Sequence, residues 1–159
     1  MQIEHQVCSY ELATKLSLTK DSMWYWVEVF PNDVKLGLAV GGGCWLFGTD
    51  FYTGTVVTNG LMYSAYTSAE LGEMLPKWLT WDLTCNTDDK GKRFDLLIEH
   101  PTAYSPQHVH GAEWHVSYVW WNLTDKVQVA YTAYGQTEVD AKAEMLIYLA
   151  DLGLLRRLR

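Results

Sequence analysis

The sequence predicts an α+β domain: a mainly antiparallel, twisted sheet of about five strands with two or three helices packed on it. Three observations carry that expectation. Apolar residues recur at helical spacing behind capping residues in some stretches, and strict apolar–polar alternation marks others as half-buried strands. Short polar turns join the later strands in pairs, which makes an antiparallel meander the economical topology.

Taken in order, Cys8 to Leu18 reads as the first helix, spanning about 9–18. Ser9 is placed to cap it, Glu11 sits in its first turn, and Leu12 and Leu16 lie one turn apart. Met23 to Phe30 is rich in aromatic and β-branched residues and reads as a strand. Alternation sets Trp24, Trp26 and Glu28 on one face, with Met23, Tyr25, Val27 and Val29 on the other. Pro31-Asn32-Asp33 turns the chain. Lys35 to Val40 and Cys44 to Phe47 form two short candidate strands joined through Gly41-Gly42-Gly43, and Gly48 to Gly60 loops or pairs weakly.

Thr67-Ser68-Ala69-Glu70 is a capping box that opens a helix over about 67–75, with Leu71, Met74 and Leu75 as its apolar stripe and Pro76 as its stop. Leu79, Trp81, Leu83 and Cys85 alternate with Thr80, Asp82 and Thr84 in a strand. Phe94 to Glu99, Trp114 to Asn122 and Val127 to Tyr134 supply three more, with turns at Asn86 to Lys92 and at Thr124-Asp125-Lys126. Thr137 caps the last helix, about 137–152, in which Val139, Ala143, Leu146, Ile147 and Ala150 face the sheet and Gly153 ends the helix.

The 159 residues fit one domain, 1–159, without repeat, linker or low-complexity block. With 48% hydrophobic and 19% charged residues, disorder is disfavoured. No apolar run approaches the ~20 residues that cross a bilayer, and no basic-then-apolar segment opens the chain, so a secreted or membrane-integral protein is disfavoured. Twelve Lys and Arg against nineteen Asp and Glu leave a net charge of −7. That argues against nucleic acid as the main ligand, because phosphates call for a basic face. The cluster Arg156, Arg157 and Arg159 reads as cations opposing the dipole at the end of the last helix. Cys8, Cys44 and Cys85 fit neither a zinc spacing nor a disulfide framework, so reduced thiols and a cytoplasmic location are expected.

Chemistry has three candidate seats. The loop 100–115 carries His100, His108, His110 and His115, and imidazoles suit zinc or another divalent metal. His108, His110 and His115 are the candidate ligands, although they match no established metal motif. His115 could also work in acid–base chemistry with Asp82, Asp95 or Glu99 on neighbouring strands. No nucleophile elbow is present, and Gly41-Gly42-Gly43-Cys44 lacks the Lys and Ser/Thr of a phosphate loop. The third seat is aromatic. Eight Trp, ten Tyr and four Phe are more rings than one core needs, and adjacent Trp120 and Trp121 must face opposite sides of a strand. Trp24, Trp26, Tyr118, Trp120 and Trp121 are therefore the candidate binding residues.

Four blocks also resemble a protein family of bacteriophages and prophages common in Bacteroides-type gut bacteria. They are Cys8-Ser9-Tyr10-Glu11-Leu12-Ala13, Asp21 to Val27, Ser64 to Pro76 with its Ala69-Glu70-Leu71-Gly72-Glu73-Met74-Leu75-Pro76 string, and Ala141 to Leu149. The glycine-rich stretch near Gly41 and the loop near His108 stand outside the resemblance. It implies a phage or prophage origin and a small α+β fold, and it transfers no catalytic residue.

The expectation that follows is a non-enzymatic binding protein without cofactor. It is a phage accessory factor in the host cytoplasm, engaging a host protein or sequestering a small ligand through an aromatic and acidic surface, with self-association as a further option. The alternative is a small metal-dependent enzyme that uses the loop 100–115.

Overall fold

The computed structural model describes residues 6–16, 22–29, 33–40, 43–46, 58–80, 92–100, 113–121 and 127–155. Its architecture is α+β, as the patterning predicts, but the strands fall into two sheets of four rather than one of about five.

The first sheet contains β1 (Trp24–Val29), β2 (Asp33–Val40), β3 (Gly43–Leu46) and β4 (Thr58–Ser64), in the order β3-β2-β1-β4. All neighbours are antiparallel, with Trp26 opposite both Leu36 and Tyr63. A register shift between Val27 and Val29 marks a bulge against β4. β4 is the strand that local pattern misses: it runs partly through a stretch expected to loop, and Gly60 interrupts its alternation. Pairing with β1, 29 to 39 residues earlier in the chain, holds it in place.

The second sheet is the predicted meander: β5 (Trp78–Thr80), β6 (Arg93–Glu99), β7 (Trp114–Trp121) and β8 (Val127–Gly135) pair in chain order, all antiparallel. Leu79 is buried between exposed Trp78 and Thr80, as alternation requires. The continuation through Trp81, Asp82 and Cys85, and the turns at 86–91 and 122–126, lie outside the described residues. A shift between Tyr118 and Val119 sets Ala130 outside the pairing, so Ala130 and Tyr131 both pack towards the core.

Three helices join the sheets. In α1 (Tyr10–Lys15), Leu12 and Ala13 are buried. Ser9 occupies the N-cap, but its side chain makes no capping bond; its backbone N–H donates instead to Asp140 Oδ1 at 2.9 Å. α2 (Ser68–Met74) carries the predicted capping box complete: Thr67 Oγ1 accepts from the Glu70 N–H, and the Glu70 carboxylate accepts from the Thr67 N–H at 2.8 Å. Glu70 Oε2 also accepts from the hydroxyls of Thr67 and Ser22. α3 (Glu138–Asp151) starts at the predicted cap, Thr137, whose Oγ1 accepts from the Asp140 N–H. It ends at Gly153, whose φ of 70° lets Leu154 N–H reach Leu149 O and Gly153 N–H reach Ala150 O. Because α3 stops at Asp151, no basic residue lies in its last turn, and Arg156, Arg157 and Arg159 lie outside the described residues.

The core forms where α1, α2 and α3 meet the inner face of the second sheet. Leu71, Met145, Leu146 and Leu149 pack there with Phe94, Val116 and Tyr118. Ala150, expected to face the sheet, is exposed, while Met145 and Leu149 take the inner face of α3. Trp26 and Tyr63 of the first sheet border the same cluster, and a smaller one gathers Val7, Leu36 and Ala65 beneath Trp24 and Trp26. Cys8 is fully buried, and loss of hydration pushes its thiol up to about 12 from the usual 9.0. Among the described residues no helix is long and apolar enough to cross a membrane.

Candidate functional site

The second sheet covers the core with one face; on its other, outer face the edge strands β5 and β8 carry exposed side chains, while His115, Ser117 and Val119 of the central strand β7 are buried. The outer face is ordered in three cross-strand rows: Trp78, Asp95, Val119 and Val129; then Leu97, Ser117 and Thr132; then Glu99, His115 and Tyr134. Paired side chains on one face of an antiparallel sheet stand about 4.5–5.5 Å apart at Cβ, so each row is a line of touching groups.

In the third row, His115 Nε2 lies 2.8 Å from Glu99 Oε2, the ring N–H donating to the carboxylate. The imidazole is buried at 7% exposure while Glu99 is exposed. The Tyr134 ring leans on the imidazole with centroids 6.2 Å apart. In the second row the hydroxyls of Ser117 and Thr132 share a 3.1 Å hydrogen bond. Beside the first row, Arg93 Nε donates to Asp95 Oδ1 at 2.8 Å, and the guanidinium sits 5.4 Å from the Trp78 ring centroid. Three large apolar side chains stay open on this face: Trp78 at 46%, Val129 at 51% and Tyr134 at 48% exposure.

Of the acid–base candidates, the fold brings His115 to Glu99 and gives Asp95 to Arg93; Asp82 lies outside the described residues. His108 and His110 also lie outside them, and among the described residues no group of three or more His, Cys, Asp or Glu converges as a metal site would require. His100, at the end of β6, packs its ring edge-on against Trp114, with centroids 4.7 Å apart.

The aromatic candidates move. Tyr118 is a core residue, not a surface one: it is fully buried, its hydroxyl donates to Pro76 O at 2.6 Å, and burial raises its pKa well above the usual tyrosine range. Its place beside Val116 on the apolar parity of β7 is the reason. Trp120 is half-buried against the same core, with Lys92 Nζ 4.2 Å from its ring centroid. Trp24 and Trp26 are half-buried towards the small cluster, and Trp26 Nε1 donates to Cys8 O at 2.8 Å, so neither forms an open platform. Trp121 pairs with Val127, and its side chain lies outside the described ones. Trp78 and Tyr134, which open on the outer face, are missing from the sequence expectation. One signal could have found Trp78, since Leu79 beside it belongs to the core parity.

A second cluster lies between the starts of α2 and α3. Lys142 is buried at 7% exposure, and its ammonium donates to Ser68 O at 3.1 Å, Ser68 Oγ at 2.8 Å and Glu138 Oε1 at 2.6 Å. The Ser68 hydroxyl in turn donates to Glu138 at 2.8 Å. The bond from Lys142 holds the Glu138 carboxyl below the usual carboxylate range. A lysine ammonium has three donors, and all three are spent inside this cluster, which makes it a fastening rather than a reactive amine. A cleft of about 340 Å³ opens beside it, lined by Gln6, Thr67, Ser68, Ala69, Thr137, Glu138 and Val139.

Searches against protein families, curated proteins and solved structures find no match to the chain.

Proposed function

We propose that this chain is a non-enzymatic binding protein that engages a host protein through the outer face of its second sheet. The observation that carries the proposal is the co-location of Trp78, Val129 and Tyr134, all about half exposed, with Glu99 and Asp95 on that one face. Aromatic anchors with a polar surround are the usual make-up of a protein interface. The exposed rings and Val129 sit on the two edge strands, β5 and β8, whereas small ligands are normally held in concave pockets that bury most of their surface, so a macromolecular partner fits this spread better than a sequestered metabolite. The net charge of −7 favours a partner with a basic contact surface. Action as a phage accessory factor in the host cytoplasm rests on the family resemblance of the blocks around Ala69 to Pro76.

The test is quantitative affinity capture from host extract with the parent chain, a Trp78→Ala/Tyr134→Ala variant and a Met23→Ala control. A host protein held by the parent and the control, lost with the double variant, and rebound as a purified component is the expected result. Equal capture by all three, or recovery of a small molecule alone, rejects the proposal. The His115–Glu99 contact favours a second reading, an acid–base or metal-dependent enzyme in which His108 and His110 join His115. Stoichiometric metal that disappears on replacing His108 and His110 would select that one.

A further inference from the structure

We draw no further inference here: the strongest candidate, the cleft between the starts of α2 and α3, is built from helix N-termini beside a Lys142 ammonium already spent on Ser68 and Glu138, and nothing among the described residues points to a ligand in it.

Discussion

At Gly135, the last residue of β8, a Cβ would stand 2.3 Å from the backbone nitrogen of Ala141 and 2.8 Å from the carbonyl carbon of Asp140. Those atoms belong to the first turn of α3 and have no side-chain freedom with which to yield. Gly135→Ala should therefore destabilise the fold by about 1–3 kcal/mol, or more if the helix start is displaced, read as a lower urea midpoint with an unchanged slope. Glu138 gives a pH dependence of definite sign. Its folded pKa lies below the usual value, so the Lys142 contact stabilises above the unfolded carboxyl pKa and is lost as pH falls through the folded one. The urea midpoint of the parent should drop as pH falls below about 4.5, and Glu138→Gln should flatten that drop. An unchanged slope in the variant would assign the acid sensitivity to other carboxylates. At this scale the candidate site was legible only in part. The sequence offers Asp82, Asp95 and Glu99 alike as partners of His115, and only the strand register selects Glu99; ring content likewise does not reveal the strand parity that buries Tyr118.

Among the elements, α2 and α3 were legible because their signals are local: a cap, a carboxylate three residues on, an apolar stripe and a stop. The same holds for the β5–β8 meander, where each strand lies next to its sequence neighbour. β4 was not, since its partner β1 is remote in sequence and its own residues, Thr-Asn-Gly-Leu-Met-Tyr-Ser, alternate poorly. Assignment of strands to two sheets likewise depends on non-local pairing, which no pattern within one segment encodes. The capping box allows an element-scale prediction. Glu70→Ala removes the acceptor of Thr67 N–H, Thr67 O–H and Ser22 O–H together, and should cost about 1–2 kcal/mol in urea denaturation. Thr67→Ala in the same background should add little, because both changes dismantle one network.

For the molecule as a whole, one cluster of buried residues draws on α1, α2, α3 and all four strands of the second sheet, with Trp26 and Tyr63 of the first sheet packed on its border. Unfolding should then be a single transition, with tryptophan fluorescence and far-ultraviolet dichroism coincident. Leu146→Ala, at a fully buried residue of α3, should cost about 2–5 kcal/mol and lower both midpoints together. Separate midpoints would mean that the first sheet melts on its own.

The fastening at Lys142 has a mechanical corollary. β4 leads through Ala65 and Tyr66 into α2, and β8 leads directly into α3, so the ammonium rivets the two places where the polypeptide leaves a sheet for a helix. Tension applied to one sheet is thereby handed on to the other, and the halves of the molecule are linked like two blades on one pivot.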